Sequence, residues 1–146
     1  MKNLKLLFKT LTLLFMLVTS VYSSTLNMSI SSSPSRLNPI LSNDTASSTV
    51  SGWLFNGLFK YDKDGKPIVD LAKSYEFKTP THLLIKLRKN VLWHDKTKFT
   101  SKDVIFTYEQ IISPKVFTSI KSNFKQVESV KALDDYTIEI IYKKPY

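Results

Sequence analysis

Residues Leu83 to Phe106 read LLIKLRKNVLWHDKTKFTSKDVIF. Leu83, Ile85 and Leu87 alternate with Leu84, Lys86 and Arg88, the period of a strand with one buried face. Val91 and Trp93 continue the two-residue spacing, and His94-Asp95-Lys96-Thr97 reverses the chain before Phe99. Thr100-Ser101-Lys102-Asp103 then fits a capping box: a threonine hydroxyl for an amide of the first turn, and a carboxylate that reaches back to the Thr100 amide. Asp103 also sits at the positive end of the helix dipole. Behind it Val104, Tyr108 and Ile111 form one stripe, widened by Ile105 and Ile112, and Pro114 stops the helix.

Upstream, Tyr75-Glu76-Phe77 provides the other arm of a hairpin with Leu83 to Leu87. Leu58 to Tyr61 reads as a short strand, and Asp62 to Gly65 as a turn in which Gly65 takes a positive φ. Val50, Trp53, Leu54 and Leu58 recur at helical spacing, which predicts a helix from about Thr45 to Asn56 with a polar start at Asp44 or Thr45 and Gly57 as its end. The spacing treats Trp53 and Trp93 as core residues. Between Ser31 and Pro39, serines, Asn38 and two prolines enforce an irregular extended course. Leu26, Met28 and Ile30 alternate as a half-buried strand would. Downstream, Val127 and Val130 precede a Leu133-Asp134-Asp135 turn, after which Tyr136, Ile138, Ile140 and Tyr142 alternate, a second hairpin. The expected class is α+β, with hairpins and one or two helices.

With 146 residues, 42% hydrophobic, the chain has material for one domain at most. Its first residues are of another kind. Lys2, Lys5 and Lys9 precede the apolar run Leu11 to Val18, and Val21-Tyr22-Ser23 offers residues small enough at its outer positions, the layout of a signal peptide over 1–23 with cleavage after Ser23. An uncleaved anchor is the competing reading, but the run is shorter than the ~20 residues that span a bilayer. The chain carries +9; removing those three lysines from 21 Lys+Arg against 12 Asp+Glu leaves +6. Lysines from Lys60 to Lys144 are interspersed with acids, with no basic stripe and no recognisable module, so no nucleic-acid partner is expected. The absence of cysteine rules out stabilising disulfides, and with it the lipid anchor that a cysteine after the apolar run would carry.

No nucleophile-base arrangement is visible. His82 and His94 lie far apart in sequence, and adjacent His94 and Asp95 on an extended chain point in opposite directions. Asp62, Asp64, Asp134 and Asp135 sit in turns, where short carboxylates bond their own backbone. No catalytic residue, metal ligand or cofactor is expected.

The ordered elements "LNP", "LFNGLFKYDKDGKPIVDLAKSYEF", "IKLRKNVLWHDKTKFTSKDVIFTYEQI" and "VKALDDYTIEIIYKKPY" resemble the N-terminal part of the bacterial extracellular solute-binding protein family 5, the periplasmic peptide- and nickel-binding proteins of ABC transporters. The resemblance covers Leu26 to Tyr146. Leu37-Asn38-Pro39, Leu54, Phe55, Gly57 and Leu58, Leu71-Ala72, then Leu87-Arg88, Trp93, Asp95, Phe99, Thr100, Asp103 and Val104 match the family pattern in order. Lys96 departs from it, standing where the family has a glycine after the aspartate. The resemblance implies that residues 24–146 are an incomplete first lobe of a periplasmic-binding-protein-like, two-lobed α/β fold. It implies an ABC importer's substrate-binding component, soluble in the periplasm after signal peptide cleavage, monomeric when full length and not an enzyme. An oligopeptide, dipeptide or nickel-chelate ligand would be captured and handed to the membrane permease. In the family, ligand contacts from this early region come from the loop after "LNP", which here is Asn43, Asp44, Thr45 and Ala46. A binding-protein lobe that has lost its ligand and serves as an exported structural or adhesive remnant is the alternative.

Overall fold

The computed structural model describes residues 25–145. The signal peptide expected over 1–23 lies outside the described residues. Thr25 to Ile30 are extended without secondary structure, and Leu26, expected in a half-buried strand, is 82% exposed. Alternation supplies a face, but a strand exists only when its amides and carbonyls find a partner strand.

From Ser31 onward the chain is a single compact unit. Helix α1 spans Thr45–Leu54. Strands β1 (Phe59–Tyr61) and β2 (Pro67–Val69) form an antiparallel ribbon closed by the Asp62–Lys66 turn. Gly65 adopts φ 73° there, and Asp62 Oδ1 accepts the amides of Asp64 and Lys66, both at 2.9 Å. Strands β3 (Ala72–Thr79), β4 (His82–Leu87), β5 (Val127–Asp134) and β6 (Thr137–Tyr142) make a four-stranded sheet in the order β3-β4-β6-β5. Both expected hairpins are present, Tyr75 opposite Ile85 and Phe77 opposite Leu83 in the first, Val130 opposite Ile140 in the second. The two hairpins join through β4 and β6, antiparallel, with Ile85 opposite Ile138.

That pairing places the core. Leu83, Ile85 and Leu87 from β4 and Ile138 from β6 are buried on one face with Ala72 and Phe99. Helix α2 (Ser101–Ile112) packs on the sheet with Val104 against this cluster. Its entry is fixed by Asp103, whose carboxylate accepts the Thr100 amide at 2.7 Å and the Thr100 hydroxyl at 3.3 Å. Ser101 docks the same end onto the second hairpin, its amide bonded to Asp135 O and its hydroxyl to Asp134 O. A 3₁₀ turn over Ser119–Phe124 follows, with Phe124 tilted against Tyr108 of α2.

Three local expectations are corrected. Helix α1 ends at Leu54, two residues short of Asn56, and Gly57 is not its stop: a Cβ at Gly57 would lie 2.8 Å from Phe59 O, so the glycine permits a close backbone approach at the entry to β1. The buried face of α1 is Ala46, Ser47 and Ser51, not the apolar stripe. Trp53 and Trp93 are 52% and 44% exposed instead of core, and Trp93 meets Phe99 edge-on at 6.0 Å.

The turn at His94 to Thr97 is scaffold. Asp95 Oδ1 accepts the Thr97 amide at 2.9 Å and hydroxyl at 2.6 Å, bonds that hold its carboxyl below the usual range. Lys96 has φ 72°, the left-handed region where a side chain meets the backbone. Lys96→Gly removes that strain at a solvent-exposed position. We expect stabilisation of up to about 1 kcal/mol, read as a raised urea midpoint at unchanged slope; an unchanged or lower midpoint would show that the turn is relaxed with lysine.

Candidate ligand-binding site

The loop expected to touch ligand is built on the irregular segment before α1. Asn38 organises it: its side-chain oxygen accepts the Ile40 amide at 2.9 Å, and its carbonyl accepts the amides of Leu41 and Ser42. This Asx-type turn brings the chain to Asp44, the N-cap of α1. Asp44 Oδ1 accepts the Ser47 amide at 2.8 Å, and Oδ2 accepts the hydroxyls of Ser47 at 2.7 Å and Ser35 at 2.5 Å. Ser47 Oγ also accepts the Arg36 amide at 3.1 Å, and Ser51 Oγ donates to Leu37 O at 3.1 Å. The serine face of α1 is therefore buried for a reason that hydropathy does not reveal. It satisfies backbone groups of the irregular segment before the helix, the Arg36 amide and the Leu37 carbonyl.

The serine contacts, led by Ser35, hold the Asp44 carboxyl at about 2, below its ordinary 3.8. A depressed value means that the clip is complete above the ordinary value and is lost as the pH falls through about 2. The Ser47 amide resonance should move with that midpoint in an NMR titration; movement centred near pH 4 would show the clip unformed. Ser47→Ala removes the hydroxyl at a site with 0% exposure and leaves the Arg36 amide without its acceptor. The expected cost is about 1–3 kcal/mol, measured by urea denaturation, and a neutral result would mean that water replaces the serine.

The four expected residues are contiguous but differently placed. Asn43 is exposed and lines a pocket of about 210 Å³. Asp44 spends its carboxylate within the loop, Thr45 is exposed at the first turn of α1, and the Ala46 side chain is buried at 3% exposure. The rest of the pocket comes from residues outside that set: Arg36, Leu41 and Ser42 from the preceding segment, and Phe117, Thr118 and Ser119 from the loop after α2. One bond ties these distant pieces, Thr118 Oγ1 to Ile40 O at 2.5 Å across 78 positions. Phe117 stands beside it at 92% exposure. The only sequence signal for this second wall was Pro114, which ends α2 and begins a loop.

A family model for bacterial extracellular solute-binding proteins, family 5 (Middle) matches residues 66–146, more than half of the chain. The chain belongs to that family. A glutathione-binding protein GsiB from Pectobacterium atrosepticum is 31% identical over 120 residues, 82% of this chain and 23% of the relative. The periplasmic oligopeptide-binding protein OppA of Escherichia coli is 27% identical over 115 residues, 67% of this chain and 21% of its own length. Among solved structures, NikZ from Campylobacter jejuni in complex with Ni(L-His) superposes with a TM-score of 0.69 at 36% identity, over 79% of this chain and 23% of that one. The match spans less than a quarter of the length of each of these three proteins. It is an α+β portion of the two-lobed periplasmic-binding-protein fold. Family 5 members are extracellular or periplasmic solute-binding proteins and not enzymes. Among the described residues, no helix is long and apolar enough to cross a membrane.

Proposed function

We propose that this chain is the N-terminal part of the first lobe of a periplasmic capture protein for an ABC importer, exported by residues 1–23 and released as a soluble, monomeric protein. It takes up a peptide or a related small solute and hands it to the membrane permease. The observation that carries this reading is the pocket at Asn43, in the loop where the family resemblance puts ligand contacts. Its chemistry suits an extended polar ligand. Asn43 supplies both an amide donor and an acceptor, and Phe117 offers an exposed aromatic face. The names of the relatives support the solute class, since they bind glutathione, oligopeptides and a nickel-histidine complex. Binding closes two lobes on the ligand with no covalent step.

Isothermal titration of the full-length gene product against peptide mixtures and nickel chelates tests the proposal. Saturable binding of one class identifies the solute. The absence of saturable binding to either would sink the capture role.

A further inference from the structure

Arg36 is the one charged residue lining the Asn43 pocket. Its backbone amide is bonded to Ser47 Oγ, but its guanidinium has no hydrogen bond or ion pair among the described residues. The acid nearest in sequence to the pocket wall, Asp44, is already engaged by Ser47 and Ser35 through both oxygens. The pocket lining therefore carries one cation, Arg36, and the ionised Asp44 next to Asn43 forms no ion pair with it. Around it the Asn43 amide and the Ser42 and Ser119 hydroxyls add neutral donors. No acidic side chain is present in the lining to compete.

We infer that Arg36 is a specificity-determining residue, selecting solutes that present a carboxylate at the Asn43 and Phe117 end of the pocket. This rests on the capture reading above. A guanidinium pairs a carboxylate through two parallel N–H···O bonds, a geometry that neither a neutral amide nor a lysine reproduces. The pocket, about 210 Å³, holds a carboxyl terminus or an acidic side chain rather than a whole peptide, so the rest of the solute extends past Phe117. The role is recognition alone.

The test uses the full-length gene product, with alanyl-glutamyl-alanine as the acidic probe and alanyl-glutaminyl-alaninamide, which lacks both carboxylates, as its neutral isostere. The unsubstituted protein should bind the acidic probe at least about tenfold more tightly, the usual worth of a hydrogen bond to a charged group. Arg36→Gln should abolish that preference, and Arg36→Lys should restore only part of it. Because Arg36 is exposed and its guanidinium makes no bond among the described residues, the glutamine variant should melt with the parent, which separates loss of recognition from loss of fold. An acid preference that survives Arg36→Gln, or equal binding of both probes by the parent, overturns the role of Arg36 and leaves solute capture standing. No binding of either probe by the parent overturns the role of Arg36 and leaves solute capture to the titration against peptide mixtures and nickel chelates.

Discussion

Ile138→Ala should destabilise the protein by about 2–5 kcal/mol, the usual cost of truncating a fully buried isoleucine. Ile138 has 0% exposure and pairs with Ile85 of β4, itself 1% exposed, at the junction of the two hairpins. Alanine there removes contacts on both sides of the junction and leaves a cavity that rigid neighbouring strands cannot close. Against a typical total of about 5–15 kcal/mol, the loss is large enough to populate unfolded chain near physiological temperature. Urea denaturation of the full-length product gives the number. Phe106→Ala, at a position 62% exposed on α2, is the matched control and should stay within about 0.5 kcal/mol. If the two substitutions cost the same, β4 and β6 do not form the core of the sheet.

Residues 24–146 expressed alone should be poorly soluble or loosely packed and should not bind peptide with useful affinity. Strands β3 and β5 are the two edges of the sheet, and in β3 every residue after Ala72 is exposed. Tyr75 and Phe77 stand on that edge at 55% and 49% exposure. Trp53, Leu54 and Phe55 form a consecutive exposed apolar run, and beside it an apolar cavity of about 310 Å³ opens between Phe55, Leu71, Trp93 and α2. Unpaired edges and contiguous apolar surface of this kind recruit other chains. The match covers less than a quarter of each of these relatives, and chain from outside these residues is what we propose covers them. Backbone NMR decides the outcome. A well-dispersed monomeric spectrum with specific peptide-induced shifts around Asn43 to Ala46 would overturn both parts. Dispersion without those shifts would make the segment an autonomous domain and leave binding dependent on the second lobe that we propose.

What was legible in the sequence was local. The alternation of Leu83, Ile85 and Leu87 fixed the buried face of β4, because side chains on a strand repeat every two residues whatever surrounds them. Gly65 and the Asp103 cap were legible for the same reason, since a positive φ or an orphan amide is a demand met within a few residues. So was the family, whose motifs are mostly such local scaffold.

Periodicity was a poor guide where the partner is distant. Leu26, Met28 and Ile30 alternate yet form no strand, and in α1 Trp53 and Leu54 are exposed while Ser47 and Ser51 are buried. Hydropathy ranks side chains by their cost of leaving water, whereas Ser47 and Ser51 are buried to satisfy backbone groups of Arg36 and Leu37 that only the folded chain brings near. The loop Asn43 to Ala46 came from resemblance, and its position in the chain said nothing of a second wall. By itself the sequence determined two hairpins, two capped helices, the turns between them and the family. The tertiary structure decided the order β3-β4-β6-β5, and it brought Phe117 and Thr118 to Arg36 and Asn43, because strand pairing and loop docking are set by contacts between residues far apart in the chain.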